Sequence, residues 1–183
     1  VLNAGLNVSY TMSGVNDRPI YKAASPVFVS YNDSLSALSA PINLMLSFRE
    51  GKNSEVSYSY VDERNGIDVE TSPVEINSYP FVLNTVAGDV LIEENTAIEE
   101  PEGELLVTVL PLESAARMYL GSLGIAPISK TSSVAILAVT TAVPGNGVDF
   151  LNAVIEGYNH VTNEDKRQVA LKTKDFLLKR IEM

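Results

Sequence analysis

Two short apolar runs, separated by a helical repeat, limit what this chain can fold into. Leu105-Leu106-Val107-Thr108-Val109-Leu110 is rich in β-branched residues and reads as a buried strand. Residues 112–123 then repeat apolar side chains at helical spacing, and Ser133 to Val143 forms a second apolar run. Helices are expected over Asp149–Tyr158 and Thr162–Met183. The expected class is α+β: a mixed β-sheet with helices packed on one face. Strands near Ile20, Leu105 and Ser133 build the sheet, and Leu105–Leu110 and Val134–Val139 are central because both of their faces are apolar.

The first hundred residues are richer in strand signals. Leu6 to Met12 and Ile20 to Tyr31 read as strands, with Pro26 marking an edge or bend. Asn32-Asp33-Ser34 is a turn, and Leu44, Leu46 and Phe48 alternate, which favours a strand from Ile42. A loop follows over Glu50–Ser54. Val56, Tyr58 and Tyr60 alternate with serines, and Asn65-Gly66 precedes Ile67 and Val69. Asn-Gly tolerates positive φ at both central positions, so a peripheral β-hairpin is expected. Within Ile76–Val90, Phe81, Val82, Thr85 and Val86 show helix-like spacing after Pro80. Glu93 to Glu104, with six glutamates and Pro101, reads as a solvated loop.

The totals exclude several functions. Thirteen Lys and Arg against 23 Asp and Glu give a net charge of −10. A nucleic-acid surface needs a basic footprint, so no nucleic-acid partner is expected. With no cysteine, disulfides and thiolate metal sites are excluded. The mean hydropathy of +0.10 is not that of a membrane protein. No stretch reaches the roughly 18 to 20 apolar residues a bilayer helix needs. The length fits one domain, 1–183.

No pattern of catalytic residues emerges, so no catalytic, cofactor-binding or metal-ligating residue is assigned and no cofactor is expected. His160 is the only histidine, placed at a junction between two helices, and a lone histidine does not make a zinc site. Gly145-Asn146-Gly147 follows a strand and opens a helix, but lacks the Lys-Ser/Thr pair of a phosphate loop. Gly121-Ser122-Leu123-Gly124 closes a helix, and Gly51-Lys52-Asn53 is a loop. The acidic pairs Asp62/Glu63 and Glu164/Asp165 invite a hydrolase reading, yet a hairpin turn and a helix first turn account for them. The last helix is basic and amphipathic, with Lys166, Arg167, Lys172, Lys174, Lys179 and Arg180 around Val169, Phe176, Leu177 and Ile181. Neither glycine, asparagine nor proline ends it, so it is expected to be the start of a longer helix in a longer protein.

Several stretches carry a family resemblance. They are Leu112-Glu113-Ser114-Ala115-Ala116, Leu120 to Ile125, the serine-led run Lys130 to Ala138, and Pro144 opening a helix. With them go Phe150-Leu151-Asn152-Ala153-Val154-Ile155-Glu156-Gly157-Tyr158 and the Asn163–Arg180 stretch with Lys166, Ala170, Thr173 and Phe176-Leu177. This order resembles the periplasmic domain of polysaccharide co-polymerases, the Wzz-type chain-length determinants and the related membrane tyrosine autokinases of capsule and exopolysaccharide biosynthesis. Arg18-Pro19-Ile20-Tyr21-Lys22-Ala23 is similar to the segment after that family's first membrane helix. The resemblance spans about 75 residues, its motifs are structural, and it implies that residues 32–76 are a divergent or inserted β-rich part. It implies a non-catalytic extracytoplasmic scaffold on the periplasmic face of the bacterial inner membrane, anchored by membrane helices outside these residues. The implied partners are copies of itself, a polysaccharide polymerase or export machinery, and the growing glycan. A tyrosine kinase module would lie outside these residues. A carbohydrate- or peptide-binding module of a cell-envelope complex is the alternative.

Overall fold

A computed structural model describes residues 5–14, 16–32, 38–49, 54–98 and 102–181. The class is α+β, ending in a long C-terminal helix. The strands are β1 (Val8–Ser13), β2 (Arg18–Ile20), β3 (Val27–Tyr31), β4 (Ile42–Phe48), β5 (Ser54–Asp62) and β6 (Ile67–Glu70). They continue with β7 (Val74–Ile76), β8 (Phe81–Thr85), β9 (Gly88–Glu94) and β10 (Gly103–Val109). After helix α1 (Leu112–Ser122) come β11 (Leu123–Pro127), β12 (Ala135–Val139) and helix α2 (Pro144–Ile181).

Side-chain alternation decides the large sheet, whose order is β2-β1-β10-β4-β5-β6 with β7 also on β5. In β4, Ile42, Leu44, Leu46 and Phe48 point inward, while Asn43, Met45 and Ser47 face out. The register sets Leu46 opposite Leu105 and Val56, and Leu44 opposite Val107 and Tyr58. A one-residue slip would turn all of these outward, so burial fixes the register. The three-stranded sheet β3-β9-β8 contributes Val27, Val29, Leu83, Val90 and Ile92 to the same core. Tyr10 ties the layers together: its oxygen accepts the Val29 amide at 3.0 Å, and burial raises its pKa.

The Asn65-Gly66 hairpin forms as expected. Gly66 takes φ +65°, and Asp62 accepts the backbone amides of Arg64 and Asn65. Its second strand, β6, lies at one end of the sheet, but its first strand is core. Val56 and Tyr60 are buried, and β5 lies between β4 and the short strands β6 and β7.

Other expectations are corrected. Every strand pairing among the described residues is antiparallel, so no sheet is mixed. The Ile20–Tyr31 segment is not one strand: a short 3-10 turn at Lys22–Ala24 separates β2 from β3, which joins the other sheet. Residues 81–94 are a β-hairpin, not a helix. Phe81 and Leu83 alternate with Val82 and Asn84, and a turn at Val86-Ala87 produces the apparent helical spacing.

The Ser133–Val143 run does not enter the large sheet. Only Ala135–Val139 is strand, it pairs with β11 alone, and Val134 and Ile136 are each 54% exposed. With one strand neighbour and one open edge, it is packed against the helices at Val139 but is otherwise poorly covered. The helices do pack on one face, but that of this hairpin. Tyr119 of α1 and Phe150 of α2 stack at 5.0 Å and join Leu6, Leu123, Val139 and Val154 in a second, small core.

The two helices expected over 149–183 are one, α2, and His160 is an exposed residue within it. The turn at Asn32-Asp33-Ser34 lies mostly outside the described residues, as does the Glu50–Ser54 loop. Of the Glu93–Glu104 loop, Glu93 and Glu94 close β9, Gly103 and Glu104 open β10, and 99–101 lie outside the described residues.

Candidate functional site

Two features stand out: the junction where α2 starts and the length of helix beyond it. At the junction the segment after β2 meets the first turns of α2, 128 positions away in sequence. The Tyr21 hydroxyl donates to Asp149 Oδ2 at 2.9 Å, and Lys22 Nζ lies 3.0 Å from the same oxygen. Burial alone would raise the Asp149 pKa, but the bonds from Lys22 and Tyr21 outweigh it and hold the carboxyl below its ordinary value. The hydrogen bond to Asp149, then burial, raises the Tyr21 pKa. Gly145 leaves room for the Tyr21 ring, since a Cβ there would sit 2.5 Å from it. A hollow of about 450 Å³ opens beside this contact, lined by Arg18, Pro19, Ile20, Tyr21, Ala24 and residues 142–145. The family-like segments Arg18–Ala23 and Pro144–Tyr158 thus meet in one place.

Beyond the junction, α2 leaves the domain. Its 38 residues span about 57 Å at the helical rise. From Ile155 to Arg180 no described side chain is buried, and only Thr162 and Glu164 are partly shielded. Val148, Ile155, Val169 and Phe176 are exposed, and with Thr162 they recur every seven residues. Such a repeat keeps a side-chain stripe on one helix face, the geometry of helix–helix packing.

The other expected positions stay apart. Asp62 is buried in a hydrogen-bonded network. It accepts from Ser39, from Asn65 Nδ2 at 2.6 Å and from Tyr60 at 3.3 Å, and the bond from Ser39 leads those that lower its pKa. Its neighbour Glu63 is exposed in the turn. Glu164 pairs with Arg167 at 3.5 Å within α2. Gly145 and Gly147 belong to the first turn of α2, and a Cβ at Gly147 would crowd Thr141 and Val139. Gly121 lies in α1 and Gly124 in β11, while Gly51-Lys52-Asn53 lies outside the described residues. Among the described residues, no group of three His, Asp or Glu side chains is placed to hold a metal. No described helix is long and apolar enough to cross a membrane.

Tyr21, Lys22 and Asp149 were not singled out as a group by sequence reasoning, and no local signal could have paired residues so far apart. The arrangement joins the segment after β2 to the first turns of α2 through one ion pair and one hydrogen bond. No protein-family model matches the chain, and a search of curated proteins gives no match.

Proposed function

We propose that this chain is a non-catalytic scaffold domain of a polysaccharide co-polymerase, controlling the chain length or export of a surface polysaccharide from the periplasmic face of the inner membrane. The observation that carries the reading is α2. It is one continuous helix of 38 residues, rooted in a packed β-domain by Tyr21, Lys22 and Asp149, whose outer half has no partner among the described residues. An exposed helix with Ile155, Val169 and Phe176 along one face suits assembly of several copies, and a rigid root transmits its position. The scaffold acts by placing the polymerase and the growing glycan relative to one another, so no residue performs bond chemistry.

The test is a gene deletion in the source bacterium, read as the length distribution of its surface polysaccharide on a gel. Loss or broadening of the preferred length is expected. Wild-type protein should restore it, and a protein with Ile155→Asp and Val169→Asp should not. An unchanged length distribution and amount after deletion would contradict the reading.

A further inference from the structure

Charge is segregated along this chain. Residues 166–181 hold six of the 13 Lys and Arg and one of the 23 Asp and Glu, a net charge of +5. Residues 1–165 hold seven basic and 21 acidic residues, a net charge of −14. The basic segment is the exposed outer part of α2, and the acidic part comprises the β-domain, α1, the β11–β12 hairpin and the first turns of α2.

The outward face of the large sheet has a matching layout. Its cross-strand rows follow from the register. Leu106 and Met45 sit side by side, with Thr11 and Ser57 at their flanks. Two residues along the strands on one side lies a row containing Glu104 and Glu55. Two residues on the other side lies the row that ends in Glu70. Glu104 and Glu55 therefore flank this row at about 6.8 Å along their strands, at the antiparallel rise per residue, and Glu70 stands at a far corner on β6. No Lys or Arg lies within β1, β4, β5, β6, β7 or β10; the basic residues of this sheet are at its margins, Arg18 in the edge strand β2, Arg49 after β4 and Arg64 in the β5–β6 turn. A hollow of about 150 Å³ opens on this face between Asn43, Met45, Ser57, Ser59, Glu70 and Leu106. That is about the volume that holds one benzene ring in a protein.

The helix carries the complement. Lys172, Phe176 and Arg180 follow one another at four-residue intervals on one side of α2, about 6 Å apart along the axis. Phe176 is 60% exposed, and neither cation has an ion-pair partner among the described residues. We propose that the Lys172–Phe176–Arg180 strip of one copy docks on the outward sheet face of a second copy, with the Phe176 ring over Met45 and Leu106 and the cations on the flanking glutamates.

The two surfaces are different patches, so the contact is head-to-tail and propagates from copy to copy into a ring or an open chain. Opposite charges speed encounter, and like charges on the β-domains disfavour other pairings. The inference goes beyond the scaffold reading and needs only two copies of this chain.

Sedimentation velocity of the 183-residue chain tests it. Self-association is expected near about 0.5 mM at about 50 mM salt and should weaken on raising salt to about 500 mM, where screening shortens to a few ångströms. The pair Lys172→Glu with Arg180→Glu should weaken association by about tenfold or more, and so should Glu55→Lys with Glu104→Lys. Both sets lie at exposed or half-exposed positions, so circular dichroism should match the wild type. Mixing the two reversed proteins should restore association, since each supplies the partner the other lost. A wild-type chain that stays monomeric, association indifferent to either reversal, or a mixture that fails to recover would overturn the proposal. If association follows the expected pattern while polysaccharide length is indifferent to these variants in the cell, the contact stands and the scaffold reading falls.

Discussion

The β-domain and the helical part that follows it use apolar residues in opposite ways. In the β-domain, Leu44, Leu46, Leu105, Val107, Val56 and Ile92 have partners on both sides and are buried from solvent. In the helical part the buried apolar residues are few: a small cluster around Tyr119 and Phe150, with Ala115 and Val143. Met118, Leu120, Ile125, Ile136, Ile155 and Val169 remain on the surface. The β-domain spends its hydrophobic residues on its own stability. The helical part leaves most of them exposed.

The sharpest way to break this contrast is to remove bulk from each region. Leu46→Ala or Leu105→Ala leaves a hole in a layer closed on all sides and should cost about 2–5 kcal/mol in urea unfolding. Ile136→Ala, on the open hairpin, should cost less than about 1 kcal/mol. Equal losses would mean the hairpin is covered after all.

The junction between the regions comes next. Gly145→Ala drives a Cβ into the Tyr21 ring, and both the ring and the first turn of α2 must shift. The expected loss is about 1–3 kcal/mol, accompanied by faster amide exchange in the first turns of α2. A neutral substitution would show that Tyr21 does not hold the helix.

The third effect is pH dependence. In the folded chain Asp62 titrates below its ordinary value, chiefly because Ser39 and Asn65 donate to its carboxylate. A depressed folded pKa contributes stability that is present above the unfolded value of about 3.9 and is lost as pH falls through the folded one. Asp62→Asn should therefore flatten the acid limb of stability below about pH 4. An acid limb as steep as the wild type's would assign it to other carboxylates, Asp149 being the next candidate, since its pKa is lowered too.

The smallest effect is expected at the outer helix. Phe176→Ala removes an exposed ring with no partner in the chain and should change stability by no more than about 0.5 kcal/mol. A larger loss in the monomer would place the outer helix against the β-domain.

The same contrast explains what the sequence made legible. Strands β4 and β5 were readable because their inward residues alternate cleanly, and β10 because its run of apolar and β-branched residues reads as a strand, although only its Leu105, Val107 and Val109 face is buried. The Asn65-Gly66 turn was readable because its backbone conformation selects those residues. The Ser133–Val143 run misled because an apolar strand signals the wish for burial, not its fulfilment. In this chain the helices pack on β12 at Val139, and Val134 and Ile136 stay exposed. Phe81–Val86 misled because four apolar or β-branched residues across a strand and its turn imitate a helical repeat. The break expected near His160 does not exist, since the residues between Tyr158 and Thr162 continue the helix without a proline or glycine. The Tyr21–Lys22–Asp149 contact depends on the packing of both regions, so no window of sequence contains it.

Hydrogen exchange of the intact chain, followed by mass spectrometry at a concentration where it is monomeric, tests the division most directly. Strands β4, β5 and β10 should exchange only on global unfolding. Protection in α2 should fall away beyond Ile155, because a helix without packing is marginal in water. Protection of Val169–Arg180 equal to that of β4 in the monomer would contradict the account, since it would show that the outer helix is held by its own domain.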